Sequence, residues 1–80
     1  MFYVYILKSI NNPDKSYIGY TLNVQQRLEA HNSGNLIHTQ QDKPWKLVTY
    51  VAFDCKKKAL DFEKYLKVGS GKAFANKRFL

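Results

Sequence analysis

The first apolar run, FYVYIL from Phe2 to Leu7, is aromatic, β-branched or aliphatic at every position. That pattern predicts a β-strand, with Phe2, Val4 and Ile6 on one face and Tyr3 and Tyr5 on the other. The sequence NNPD, Asn11 to Asp14, then supplies turn residues, with proline presetting one φ angle. SYIGYTL, about Ser16 to Leu22, predicts a second strand that pairs with the first as an antiparallel hairpin. Asn23 is a good helix N-cap, and Gln26 stands three residues on, where a capping box needs it. The helix so begun runs to about Asn32, where NSGN ends it with Gly34 near the C′ position. From Asn35 to Pro44 the chain is polar and aperiodic and predicts a loop. KLVTYVAFD, Lys46 to Asp54, predicts a third strand. Asp54 is then placed to cap a second helix from about Lys56 to Val68, closed by Gly69, and Ser70 to cap a short third helix ending near Phe79. The expected order is β-β-α-β-α-α, an α+β fold with a small three-stranded antiparallel sheet.

Composition narrows the class. Eighty residues predict one domain, 1–80, and 45% hydrophobic with 15% aromatic residues can fill its modest core without staples. The single cysteine, Cys55, excludes an internal disulfide and suits a reducing compartment. It stands at a strand-to-helix junction with no obvious base beside it, which reads as a small spacer rather than a nucleophile. No apolar run approaches the roughly 20 residues of a membrane span. The short apolar N-terminus has no basic flank to make it a signal peptide, so a soluble cytoplasmic protein is expected. The oligomeric state stays open between a monomer and a weak dimer.

Charge changes the picture further. The net charge is +7, and residues Lys56 to Leu80 carry eight basic and two acidic side chains, or +6 of that total. A block of this kind attracts polyanions by counterion release, and nucleic acid is the commonest cellular polyanion. A merely solvated helix face is the alternative.

Polar residues also stand where apolar ones belong. On the first helix, at ~100° per residue, Arg27 and His31 fall on or beside the arc defined by Val24 and Leu28. They are four residues apart and so neighbours on the helix surface. On the second helix Glu63 falls within the stripe formed by Ala59, Leu60, Phe62 and Leu66. A desolvated carboxylate is costly unless it meets a cation, a metal or several donors. A Glu63–Arg27 salt bridge supporting the core satisfies that demand. So does a site in which both helices aim polar groups at a sheet bearing tyrosines, the composition of a hydrolytic phosphodiester centre.

With Tyr3-Val4-Tyr5, then Tyr17-Ile18-Gly19, then Arg27 and a later helical Glu63, the chain resembles the GIY-YIG endonuclease superfamily. The resemblance is closest to its small, single-domain, UvrC-type bacterial members, and RLEAHNSG and EKYLKVGSGKAFANKRF extend it over essentially the whole chain. It implies metal-dependent cleavage of DNA, with a role in repair or processing. Tyr5 and Tyr17 become the two motif tyrosines. Arg27 becomes the phosphate and transition-state cation, and Glu63 the only protein ligand of one divalent ion, Mg²⁺ or Mn²⁺. His31 stands where members carry a Tyr or His that assists proton transfer, and Asn76 matches a C-terminal Asn of the same site. Gly19 lets the backbone approach substrate closely. Tyr20 occupies a position where some relatives have lysine. Lys72, Lys77 and Arg78, from the basic block after Cys55, are expected to contact DNA. Tyr3 replaces the glycine that gives the first motif its name. The rival from another class is a non-catalytic nucleic-acid-binding module that retains the nuclease fold. An uncompensated inward carboxylate argues against it.

Overall fold

The computed structural model describes residues 1–80. Its elements are β1 (Phe2–Ser9), β2 (Ser16–Thr21), α1 (Val24–Ser33), β3 (Trp45–Phe53), α2 (Lys56–Lys67) and α3 (Gly69–Arg78), in the expected order. The three strands form one antiparallel sheet in the order β2-β1-β3. β1 is therefore central, which is why Val4, Tyr5, Ile6 and Leu7 are buried in succession rather than alternately.

The two faces of β1 build two cores. Val4 and Ile6 pack with Ala59 and Leu66 of α2 and Ala75 of α3, and Ile18 and Tyr20 join them from β2. Tyr5 and Leu7 pack on the opposite face with Trp45, and Tyr17, Val24 and Leu28 close around them. The molecule has three layers: α1 and the segment after it, then the sheet, then α2 with α3.

Local signals explain most of the boundaries. The Asn23 side chain accepts the amide of Gln26 at 3.0 Å, satisfying one free N–H of the first turn. Gly34 ends α1 in the left-handed conformation at φ 83°. Three expectations shift. Cys55, not Asp54, occupies the N-cap of α2 and makes no side-chain capping bond. α3 begins at Gly69, so extended Val68 alone separates it from α2, and Ser70 lies inside the helix rather than capping it. The segment expected as loop contains a 3-10 turn at Gln40–Asp42. The Asn32 side chain, bonded to both the amide and the carbonyl of Trp45, ties α1 to the start of β3 across that segment.

Two glycines are required by close approach. A Cβ on Gly71 would overlap the Tyr65 carbonyl, so only glycine lets α3 fold back against the end of α2. Gly19 pairs with Tyr5 across the β1–β2 ladder. A Cβ there would stand 2.5 Å from the Tyr5 hydroxyl oxygen and 2.6 Å from Cζ. Tyr5 is fully buried and cannot swing away. Gly19→Ala is expected to destabilise the fold by about 1–3 kcal/mol, the usual cost of overpacking, read from the midpoint of urea unfolding.

Candidate active site

Tyr5 carries its hydroxyl into the layer between sheet and α1, where it is 1% exposed. A buried phenol needs partners, and α1 supplies two. His31 Nε2 lies 2.8 Å from the hydroxyl oxygen, and Arg27 Nε donates to the same oxygen at 3.4 Å. Both come from the apolar arc of α1, one turn apart, because that arc is the face turned to the sheet. Burial pushes the Tyr5 pKa up to about 12, moderated by the Arg27 bond and raised further by nearby Tyr17 and Glu63. Tyr5 is therefore a neutral phenol at physiological pH. His31 is shifted the other way: burial first, then the Arg27 charge, hold it below its ordinary 6.5. The imidazole stays neutral, as a proton acceptor requires.

Tyr17 is placed differently. It lies on β2, an edge strand, and is only half-buried. Its ring stands 4.8 Å from the His31 ring and 6.1 Å from that of Tyr5. It lines two surface hollows. One, of about 310 Å³, is floored by Arg27, His31 and Thr39 and rimmed by residues 35–38. The other, of about 280 Å³, lies on the far side of β2 among Lys67, Lys72 and Asn76. Tyr17 is thus the ridge between a hollow with an arginine and an imidazole and a hollow with two lysines and an amide.

Glu63 is half-buried on α2, and its side chain is 19% exposed. It does not meet Arg27. Its Oε2 accepts from Lys67 Nζ at 3.0 Å, an i,i+4 pair along α2. Arg27 is committed to Tyr5 on the other side of the sheet, so the core salt bridge considered from sequence is replaced by this local one. The Glu63 carboxylate nevertheless acts on Tyr5 electrostatically, and its partner Lys67 lines the same hollow as Tyr17.

The other expected residues divide. Lys72 and Asn76 sit together in the lysine-lined hollow. Lys77 and Arg78 are exposed at the end of α3. Tyr20 packs half-buried against the Val4–Ile6 core, facing away from Tyr17 as the pleat requires. Above Gly19 lies the Tyr5 phenol, which accounts for the missing side chain by packing. Sequence reasoning missed Thr39, whose Oγ1 lies 2.7 Å from His31 Nδ1 in the buried layer. Its signal was indirect: Trp45 is buried, and its indole N–H needs an acceptor, which is the Thr39 carbonyl at 2.9 Å.

Known proteins resemble the chain in sequence and in fold. A sequence model of the GIY-YIG catalytic domain matches residues 1–78. The chain is 40% identical over 68 residues to UPF0213 protein CPE1444 of Clostridium perfringens, covering 84% of this chain and 71% of that protein. It is 42% identical over 71 residues to structure-specific endonuclease subunit SLX1 of Candida dubliniensis, covering 80% of this chain and 25% of that protein. The chain thus spans about a quarter of that fungal subunit. The solution NMR structure of UPF0213 protein BH0048 from Bacillus halodurans is similar with a TM-score of 0.56 at 30% identity, over 99% of this chain and 87% of that one. The chain belongs to the GIY-YIG endonuclease family, whose fold and tyrosine motifs it carries. No helix is long and apolar enough to cross a membrane.

The depressed His31 pKa makes a prediction with a definite sign. In the unfolded chain histidine takes up a proton near 6.5, whereas folded His31 resists it until lower pH. The unfolded state then binds more protons, so stability falls as pH drops below 6.5 toward the folded value. Urea unfolding at about pH 7.5 and about pH 5.5 should show a larger loss in the wild type than in His31→Gln, which lacks the titrating group.

Proposed function

We propose that this domain hydrolyses DNA phosphodiester bonds with the help of one divalent cation, Mg²⁺ or Mn²⁺, held by Glu63. The observation that carries the reading is Tyr17 on the edge strand, standing between the Arg27–His31 hollow and the Lys67–Lys72–Asn76 hollow. A phosphate laid against Tyr17 meets cationic donors from both faces of the sheet.

Each residue then has a task. Lys72 and Asn76, with Lys77 and Arg78 beyond them, bind the backbone and set its path. Arg27 spends its Nε on Tyr5 and keeps its Nη donors for the phosphate oxygens, where they meet charge that grows in the transition state. Tyr17 orients the attacking water. Neutral His31 accepts the proton that leaves it, with its Nε2 reached through the Tyr5 hydroxyl. Water forms the new bond to phosphorus as the bond to the 3′ oxygen breaks.

A hard divalent cation suits the donors that the site offers. Glu63 presents carboxylate oxygens, and no group of three or more His, Cys, Asp or Glu side chains stands ready to take a softer ion. A hard cation that keeps most of its water suits one carboxylate. When bound there, it supplies Lewis-acid stabilisation of the leaving oxygen. Lys67 is the group that must yield the carboxylate. The similarity to a structure-specific endonuclease subunit supports branched or otherwise structured DNA as the substrate, and hence a place in DNA repair or processing.

A plasmid-nicking assay with Mn²⁺ tests the reading. Glu63→Gln keeps the shape but loses the charge that attracts the cation, and should abolish nicking while DNA binding persists. Tyr17→Phe should bind DNA normally and cut at least ~10²-fold slower, as expected on losing an acid–base or water-orienting group. Wild-type protein that binds DNA without cutting any form of it would return the fold to a binding role.

The basic surface has its own test. Neutralising Lys72, Lys77 and Arg78 together should weaken binding to all DNA sequences. It should also flatten the salt dependence by about one slope unit per lost phosphate contact. An unchanged slope in a fluorescence-anisotropy titration would place the DNA path elsewhere.

A further inference from the structure

The buried layer holds one continuous chain of hydrogen bonds whose direction can be worked out. At one end Arg27 Nε can only donate, and it does so to the Tyr5 oxygen. At the other end the Leu36 carbonyl can only accept, and Thr39 Oγ1 lies 3.5 Å from it. Between them stand the Tyr5 hydroxyl, 2.8 Å from His31 Nε2, and the Thr39 hydroxyl, 2.7 Å from His31 Nδ1. Neutral imidazole carries one proton, so two arrangements compete.

In the first, Tyr5 donates to Nε2, Nδ1–H donates to Thr39, and Thr39 donates to Leu36. Every proton then has an acceptor. In the second, Nε2–H donates to Tyr5 and Thr39 donates to Nδ1. The Tyr5 proton is then left facing donors in a site 1% exposed, and the Thr39 bond to the Leu36 carbonyl is lost. Leaving a buried donor unpaired costs about 1–3 kcal/mol, enough to decide between them.

We infer that Thr39 is a positioning residue of this site, holding His31 as the Nδ1–H tautomer so that Nε2 is the unprotonated nitrogen that accepts from Tyr5. Its own placement is fixed on three sides. Thr39 is 2% exposed, its amide donates to Leu36 O at 3.2 Å, and its carbonyl receives the Trp45 indole at 2.9 Å. The titratable and charged groups facing His31 are Tyr5 from β1, Tyr17 from β2 and Arg27 from α1, with His38 on the rim of the same hollow. None of them is an acceptor for Nδ1–H in place of Thr39. Thr39 is part of the hollow's floor but 2% exposed, its hydroxyl turned to His31 Nδ1 and the Leu36 carbonyl, so its loss acts through the imidazole.

The catalytic consequence rests on the nuclease reading above, and the experiment separates the two. Long-range ¹H–¹⁵N NMR of the free wild-type protein should show a protonated Nδ1 and an unprotonated Nε2 on His31. Thr39→Val keeps the side-chain volume and removes the hydroxyl, and should mix or reverse that tautomer. Thr39→Ser should restore it. In nicking assays the valine variant should cut about 10–100-fold slower at unchanged DNA affinity, the order of loss seen when an outer-shell partner that orients a metal-bound histidine is removed, and serine should recover the rate. If valine does not fold, as judged by near-UV circular dichroism, alanine against serine makes the same comparison. An Nε2–H tautomer in the wild type, a tautomer unmoved by Thr39→Val, or a rate that serine does not rescue would overturn the assignment to Thr39. The predicted tautomer in a protein that cuts no DNA would overturn the nuclease reading instead.

Discussion

Tyr5 sits on the middle strand of a thin sheet, and its hydroxyl cannot reach water. Everything around it answers that constraint. A buried phenol must be paired, and its neighbours must leave room for the oxygen. Gly19 leaves the room from the adjacent strand, while Arg27 and His31 provide the pairing from α1. His31, once buried, needs a partner for its second nitrogen, and Thr39 provides it from a segment held in turn by Trp45 and Asn32. Tyr5, Arg27, His31 and Thr39, scattered along the chain, are thus one hydrogen-bonded unit.

That unit meets the surface only as the floor of the hollow beside Tyr17, which is why the edge position of β2 matters. Groups on opposite faces of a sheet are separated by its thickness except at the rim. Tyr17 stands at the rim, with the α1 hollow on one side of it and the α2–α3 hollow on the other. A central strand would be useless for this purpose. The order β2-β1-β3 places the buried tyrosine on β1 and the accessible one on β2, so the two motif tyrosines occupy different environments despite similar surroundings in sequence.

Much of this was legible in advance where periodicity or capping carried it. The alternation in FYVYIL assigned Tyr5 and Val4 to opposite faces, and Asn23 and Gly34 delimited α1 closely enough to bring Arg27 and His31 onto its inner arc. Pleating likewise turned Tyr20 away from Tyr17. Glu63 was harder: the apolar stripe showed that it was half-buried, but its partner is Lys67, four residues on, because a flexible lysine at the same rim pairs more cheaply than an arginine beyond the sheet. Thr39 had no direct signal, since a polar aperiodic segment has no pattern from which burial can be read. Asp54 and Ser70 looked like caps by composition, yet α2 is capped one residue after Asp54 and α3 two residues before Ser70.

The joint between α2 and α3 limits how this architecture can vary in length. Val68 is the only residue between the helices, and Gly71 locks the second against the first. One added residue there would shift α3 against α2, break the close Gly71–Tyr65 approach and carry Lys72 and Asn76 out of the hollow beside Tyr17. The turn joining β1 to β2 lies at the exposed end of a hairpin and bears no such relation to the site. Natural and engineered insertions should therefore accumulate in that turn, and the α2–α3 joint should keep its length even where the residues on either side diverge.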